Sequence, residues 1–167
     1  TGVQTCALPI YQKKDILEEL IDSPQEDVVR PLILALNDNS IAVRELAVEA
    51  ISKCVGSKTS PQVVDLLYLE DVEVRNYACE IIEKSGYRFL PNILSVLDQE
   101  SDPDVVKFLI DSLARMKGVP PQHEKMITDA FEAQLESGEE NILIATIEGI
   151  GMRQYQSLRS EEHTSEL

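Results

Sequence analysis

The chain has 167 residues, with 15 Lys and Arg against 30 Asp and Glu, for a net charge of −15 at neutral pH. Such an acidic surface repels phosphate backbones, and the densest basic positions, Lys13-Lys14 and Lys53 with Lys58, form no basic stripe. No apolar run approaches the roughly 18 residues of a membrane span. We therefore expect no nucleic-acid partner and no membrane association. Cys54 and Cys79 are too few to suggest a disulfide framework and no secretory signal is visible, so a cytoplasmic location is the default expectation, unless truncation has removed a targeting segment.

The two ends of the chain are related at the level of DNA. Residues 1–10, TGVQTCALPI, can be encoded as ACT GGA GTT CAG ACG TGT GCT CTT CCG ATC, followed by a T. The complementary strand, read from its first base, encodes RSEEHTSEL, which is residues 159–167. The string also resembles a sequencing-library adapter. We interpret both ends as non-native segments and exclude them from the prediction of the fold.

This exclusion changes which residues are candidates for chemistry. It removes Cys6 and His163, and it leaves 14 Lys and Arg against 27 Asp and Glu, a net charge of −13. Residues 11–158 are long enough for one domain with a continuous core. Because adapter sequence would join coding sequence at both ends, we expect residues 11–158 to be a fragment of a longer protein.

One helical unit recurs along the chain. The segments SIAVRELAVEAISKCVG, DVEVRNYACEIIEKSG and DPDVVKFLIDSLARMKG begin 31 residues apart, at Ser40, Asp71 and Asp102. Each start can cap a helix, and apolar residues follow at i, i+4 and i+8. Gly56, Gly86 and Gly118 lie just beyond, where left-handed caps are expected. A truncated unit, DILEELID, precedes them, and ENILIATIEGIG follows.

A shorter, more apolar second helix is predicted after each first helix. The segments are residues 28–36, 63–69 and 89–97, with a longer fourth in PQHEKMITDAFEAQLES, which opens with a proline. Uniformly apolar helices of this length are typical of helices packed between neighbours. Since one such pair cannot bury its apolar faces alone, the pairs must stack.

The repeat resembles HEAT-type repeats, in particular the short bacterial and archaeal kind related to phycobilisome-lyase repeats. Residues 71–75, DVEVR, and 102–105, DPDV, are similar to the Asp-Pro-Asp-Val-Arg signature of that family, whereas residues 40–44, SIAVR, match less well and Val106 replaces the arginine. The resemblance implies an all-α, right-handed α-solenoid of about four and a half helix pairs over residues 11–158. It also implies that the second helices line a concave face. Arg44 and Arg75 would bridge to acidic residues, for which Asp38 and Asp71 are plausible partners.

The inventory of reactive side chains is thin. His123 falls on the first turn of a helix and is expected to be exposed, while Cys54 and Cys79 are expected to be packing residues because neither belongs to a C-x-x-C motif. No phosphate-binding glycine loop or nucleophile elbow is present. We therefore expect no catalytic residues, no metal site and no cofactor.

A binding surface can be predicted from the second helices. Their apolar positions face the core, which leaves six residues pointing outward: Arg30, Leu34, Asp65, Tyr68, Asn92 and Ser95. Leu34, Tyr68 and Ser95 share one repeat position, so they would form a row. An exposed Leu beside a Tyr is a reasonable anchor for a peptide. The same exposure is equally expected if a neighbouring domain of a longer protein packs on this row.

The expected function is that of a noncatalytic scaffold, acting as a monomer, which binds a protein or peptide over this face. One alternative is a bilin lyase or chaperone of the phycobilisome-lyase branch, which a stoichiometric absorbance shift with bilin would reveal. A second alternative is a HEAT-like nucleic-acid-binding or glycosylase domain. The charge and Asp65 disfavour it, and a salt-dependent DNA shift in a gel would support it.

Overall fold

The computed structural model describes residues 8–56 and 58–164, with side chains as far as residue 154. Within these residues the chain forms nine α-helices and no strand. The helices are α1 (Ile10–Asp22), α2 (Val29–Ala35), α3 (Ile41–Cys54), α4 (Ser60–Val64), α5 (Val72–Ser85), α6 (Leu90–Leu97), α7 (Pro103–Arg115), α8 (Pro121–Gln134) and α9 (Glu140–Thr164). Short 3₁₀ turns extend α2, α4 and α6 at Glu26–Val28, Asp65–Tyr68 and Gly86–Phe89.

The helices at both ends extend into the segments predicted to be non-native. Helix α1 begins at Ile10, and α9 continues to Thr164, past the predicted boundary at residue 158. The remainder of the two segments, residues 1–7 and 165–167, lies outside the described residues. The adapter origin of both segments stays a prediction.

The helices stack as an α-solenoid. The first helices form a ladder in which α1 packs on α3, α3 on α5, α5 on α7 and α7 on α9. The second helices lie to one side of this ladder and contact the first helix that follows them: α2 packs on α3, α6 on α7, α8 on α9, and the turn after α4 packs on α5. The predicted all-α repeat stack is therefore confirmed.

The core follows the repeat positions read from the sequence. The apolar residues predicted at positions i, i+4 and i+8 of α3, α5 and α7 are all buried. Val43, Val74 and Val105 are the first of each set. Side chains of the second helices, such as Val63 and Ile93, pack into the same continuous cluster. Apolar burial of this kind supplies most of the free energy of folding, at about 25 cal/mol per Å².

Two of the three predicted helix caps are present. The Asp71 carboxylate accepts hydrogen bonds from the backbone N–H groups of Glu73 and Val74, at 2.9 and 3.3 Å, and Asp102 accepts one from Asp104 at 3.0 Å. The prediction for Ser40 is wrong, because its side chain makes no capping bond. The chain enters α3 differently: the Ser40 N–H donates to the Asp38 carboxylate at 2.9 Å.

This difference gives a matched pair of variants. Asp71→Ala should lower the free energy of unfolding by about 1 kcal/mol, because two helical N–H groups lose their acceptor. Ser40→Ala, at the same repeat position, should change it by less than about 0.5 kcal/mol. Chemical denaturation of both variants measures the difference, and equal losses would show that the Ser40 hydroxyl caps α3 in solution.

Two of the three predicted glycine caps are also present. Gly86 and Gly118 have φ values of +66° and +65°, the left-handed conformation that glycine adopts without strain. Gly56 does not, so that prediction is wrong. Its space is occupied by Glu26: a Cβ on Gly56 would lie 2.6 Å from the Glu26 carboxylate, which accepts a bond from the Thr59 N–H at 3.2 Å. Gly56 therefore permits close approach and does not set a left-handed turn.

The two repeat arginines bind backbone carbonyls rather than the predicted aspartates. Arg44 donates to the carbonyl of Asp38 at 2.8 Å, and Arg75 donates to the carbonyl of Leu69 at 2.5 Å, each six residues upstream. The aspartates are engaged elsewhere, Asp71 as a cap and Asp38 with Lys13. The guanidinium groups thus satisfy carbonyl groups at the turn before each first helix.

The same arginines also reach the next first helix. Arg44 donates to the Tyr77 hydroxyl at 2.9 Å and forms an ion pair with Glu73 at 3.0 Å. Arg75 lies over the ring of Phe108, with 5.6 Å from Cζ to the ring centroid. Each arginine therefore joins its own turn to the following repeat.

Candidate functional site

The exposed side of the second helices, which we call the second-helix surface, carries the six residues predicted to face outward. Five of them are exposed, and Asn92 is half-buried. The two large side chains are the most telling, because Leu34 is 65% exposed and Tyr68 is 51% exposed although most apolar side chains of these helices are buried. The full set is Arg30 and Leu34 on α2, Asp65 and Tyr68 in the turn after α4, and Asn92 and Ser95 on α6.

Tyr68 is held in place by the next repeat. Its hydroxyl donates a hydrogen bond to the Glu100 carboxylate, whose other oxygen accepts bonds from the N–H groups of Ser101 and Asp102, each at 2.7 Å. The bond to Glu100, followed by burial, raises the pKa of Tyr68 to about 12. Burial disfavours the ionised form of Glu100, but the three donors outweigh it and lower its pKa. The Tyr68 ring is therefore an ordered, half-exposed apolar surface.

Among the described side chains, Tyr68 is the only one of the six with a hydrogen bond or ion pair from its side chain. The six residues do not bond to each other. They are brought to one side of the stack by the repeat, and no polar group converges with them on a single point. This arrangement suits an extended contact and lacks the clustered acid, base or nucleophile that catalysis requires.

A groove of mixed polarity between α6 and α8 was missed by sequence reasoning. It has a volume of about 230 Å³ and is lined mainly by Leu94, Leu97, Met126, Ala130 and Ala133, with Asp98 and Gln134 at its polar side. The sequence carries a signal for it: α8 has a second apolar stripe, 126/130/133, beside its buried stripe of Ile127 and Phe131. The groove extends the second-helix surface beyond α6.

A polar cleft between α5 and α7 contains Cys79, one of the two candidate thiols. It is lined by Cys79, Phe108 and five charged residues, and its charges are matched by ion pairs: Arg115 with Glu83 at 3.1 Å and Lys107 with Asp111 at 2.9 Å. Burial raises the pKa of Cys79 to about 11, so its thiol is protonated at neutral pH. Burial also raises the pKa of Glu83, against the opposing effect of Arg115. The cleft is a structural joint with an inert thiol.

Cys54 and His123 complete the candidates from the sequence. Cys54 is buried and free, and burial raises the pKa of its thiol, as expected of a packing residue. His123 was expected to be exposed, which is wrong: it is half-buried because its ring lies 5.6 Å from the Tyr87 ring, tilted by 30°. Its backbone N–H closes the first turn of α8 on the Pro120 carbonyl at 2.8 Å.

An apolar cavity of about 160 Å³ separates α1 from α2. Its walls include Leu17, Leu20 and Leu32, and its polar edge is the ion pair between Lys13 and Asp38, at 2.5 Å. No group of three or more His, Cys, Asp or Glu that could hold a metal ion occurs among the described residues. No helix in that part of the chain is long and apolar enough to cross a membrane.

Comparison with known proteins assigns the chain to no family. No protein-family model matches the chain. No curated protein matches it either. Among solved structures, the chain is similar to a designed armadillo repeat protein, with 18% sequence identity over 95% of this chain and 86% of that chain, and a TM-score of 0.38. The assignment to α-helical repeat proteins therefore rests on the helix pairs and their stacking in the chain itself.

Proposed function

We propose that the chain is a noncatalytic scaffold of HEAT-like repeats that binds a protein or peptide segment over the second-helix surface. The observation that carries this proposal is the pair of large, exposed side chains, Leu34 and Tyr68, at one repeat position on successive second helices. Full burial of a Leu side chain against a partner contributes about 1.5–3 kcal/mol to binding. Burial of the larger Tyr side chain contributes somewhat more.

The ordering of Tyr68 supports this role. A side chain that is already fixed before binding loses little conformational freedom on association, which otherwise costs about 0.5–1.5 kcal/mol for a flexible side chain. The bond to Glu100 fixes Tyr68 while leaving half of the ring open. The groove between α6 and α8 would accept a further apolar side chain of the same partner.

The charge of the surface indicates which partners are disfavoured. Of the six predicted residues, Arg30 is the only cation, and Asp65 lies beside Tyr68. With a net charge of −15 for the whole chain, a phosphate backbone would meet repulsion and release few counterions. A protein partner is the class that these features favour, with the chain itself acting as a monomer in the cytoplasm.

A displayed peptide library, selected against the whole chain, tests the proposal. Peptides recovered in this way should bind Leu34→Asp and Tyr68→Ala about 30-fold more weakly, the loss expected when a contact worth about 2 kcal/mol is removed. Tyr68→Phe should lose far less, because it keeps the ring and removes only the bond to Glu100.

Ile41→Asp is the matched control for Leu34→Asp. Ile41 is also a large exposed aliphatic side chain, but it is the first residue of the first helix α3 and does not belong to a second helix. Binding should be unchanged in this variant. Peptides that bind Leu34→Asp and Tyr68→Ala as tightly as the unaltered chain would refute the assignment of the surface.

A further inference from the structure

Helix α9 has an exposed apolar flank. Ile144 is 48% exposed, Ile147 is 62% exposed, and Gly151 continues the same strip at a spacing of three to four residues, with open space where a Cβ would stand. Leu143, half-buried, borders the strip on one side and Glu148, exposed, on the other. We call these five residues the α9 flank.

The repeat position of Ile147 is buried in the earlier first helices. With Ile142 aligned to Val105, Ile147 corresponds to Ile110 in α7, Cys79 in α5 and Val48 in α3. Ile110 is 0% exposed, and the other two are buried, because another first helix packs beside each of them. Among the described residues, the main packing partners of α9 are α7 and α8. At the position of Ile147, α9 therefore exposes an apolar residue of the kind that is buried at the internal joints.

The internal joints show what kind of helix fits. Where α5 covers α3, it presents Tyr77 and, seven residues later, Lys84, whose Nζ lies 2.9 Å from the Glu49 carboxylate. Where α7 covers α5, it presents Phe108 and, again seven residues later, Arg115, which pairs with Glu83 at 3.1 Å. A spacing of seven places both side chains on one face of a helix.

The α9 flank offers the complement of the first of these joints. Glu148 occupies the repeat position of Glu49, whereas Gly151 occupies that of Glu83, and Glu148 has no ion pair among the described side chains. The position of Arg44, which bonds the Tyr77 hydroxyl, is taken by Leu143, so the flank has an apolar side chain where a tyrosine would need a donor. Phenylalanine suits this flank better than tyrosine because its ring leaves no buried hydroxyl unpaired.

We propose that the α9 flank docks an amphipathic α-helix of a partner protein that carries a phenylalanine and, seven residues later, a lysine or arginine. The aromatic ring packs on Ile147 beside Leu143, and the cation pairs with Glu148. This surface lies on a first helix and is separate from the second-helix surface, so it does not depend on the proposed function.

A second copy of the chain does not match this chemistry. The first helix that would stack on α9 in a head-to-tail assembly is α1, whose residues at the aromatic and basic positions are Asp15 and Asp22. Both are exposed acids. Asp22 would face Glu148, and two neighbouring negative charges repel each other. The outer side of α1 therefore lacks both the aromatic ring and the cation that the α9 flank would accept.

A peptide with the sequence of residues 102–117 tests the proposal, because it contains Phe108 and Arg115 at the required spacing. Titrated into the whole chain, it should shift the methyl NMR signals of Ile144 and Ile147. Ile147→Asp should weaken binding of this peptide at least tenfold. A second peptide, with aspartate in place of Phe108 and Arg115, should bind the unaltered chain as weakly as the first peptide binds Ile147→Asp. Thermal melting should be unchanged in Ile147→Asp, since the side chain is exposed.

A charge swap and a remote variant make the test specific. Glu148→Lys should weaken binding of the peptide, and a peptide with Arg115→Glu should restore it. Leu34→Asp, which removes the anchor of the second-helix surface, should leave the affinity unchanged, so the two proposals fail separately. Binding that is insensitive to Ile147→Asp would overturn the inference. So would dimerisation of the chain that Ile147→Asp abolishes, because the occupant would then be a second copy.

Discussion

Leu109→Ala should destabilise the chain by about 2–5 kcal/mol. Leu109 is 0% exposed and lies in the middle of α7, whose neighbours α5 and α9 pack on both sides. Removal of its three outer carbons leaves a cavity that close-packed neighbours fill only in part. Urea denaturation followed by circular dichroism measures the loss, and the melting temperature should fall by about 2–4 °C per kcal/mol.

Leu34→Ala is the matched control for this change. The same three carbons are removed, but Leu34 is 65% exposed, so we expect a change within about 0.5 kcal/mol. A loss comparable to that of Leu109→Ala would contradict the placement of Leu34 on the surface, and it would remove the main support for the proposed binding role.

Asp38→Asn should lower stability by about 1.5–3 kcal/mol at neutral pH, the range for hydrogen bonds to charged groups. The Lys13 Nζ lies 2.5 Å from the Asp38 carboxylate, and the two side chains are about nine-tenths buried. The Ser40 N–H donates to the other carboxylate oxygen. The variant leaves Lys13 with a neutral partner at the edge of an apolar cavity, which is why the loss exceeds that of a surface ion pair.

The loss should depend on pH in one direction. The hydrogen bond from Lys13, followed by that from Ser40, lowers the pKa of Asp38 in the folded chain below its value of about 3.9 in an unfolded one. A lowered pKa contributes stability that is fully present above about pH 4 and is lost as the pH falls through the folded-state value. The difference in unfolding free energy between the unaltered chain and Asp38→Asn should therefore shrink on acidification.

Asp15→Asn provides the control for the acid titration. Asp15 lies on the same helix as Lys13, is exposed, and forms no ion pair among the described side chains. Its variant should differ from the unaltered chain by less than about 0.5 kcal/mol at neutral pH. A difference for Asp38→Asn that stays constant from pH 7 to pH 2 would show that its carboxylate does not stabilise the fold by its charge.

The sequence is sufficient to predict the helix order and the core because both depend on local periodicity. Apolar residues at i, i+4 and i+8 fix which side of a helix is buried whatever its neighbours do, so Val74 and Val105 could be assigned from spacing alone. The outward positions of Leu34 and Tyr68 follow from the same rule. These are the features that a single helix pair determines.

The features that sequence reasoning missed depend on contacts between repeats. Ser40 does not cap α3 because Asp38 meets its N–H, and Gly56 is not left-handed because Glu26 approaches from 30 residues upstream. Neither contact leaves a mark on local spacing. The groove between α6 and α8 depends on how far two helices stand apart, which their apolar stripes do not specify. His123 was misjudged for the same reason, since Tyr87 comes from another repeat.

The arginines at the turns link successive repeats by different sets of contacts. Arg44 bonds its own turn and the next helix with three directional contacts, and Arg75 does so with one hydrogen bond and a stacked ring. At the third joint the equivalent residue is Val106, which is buried in the apolar core. The α7–α9 joint is instead tied by Arg153 of α9, which donates to the Met116 carbonyl and pairs with Glu124 of α8. Every joint between first helices from α3 onwards is therefore crossed by an arginine, but at the last joint the arginine reaches back to the preceding repeat, whereas Arg44 and Arg75 reach forward to the next one.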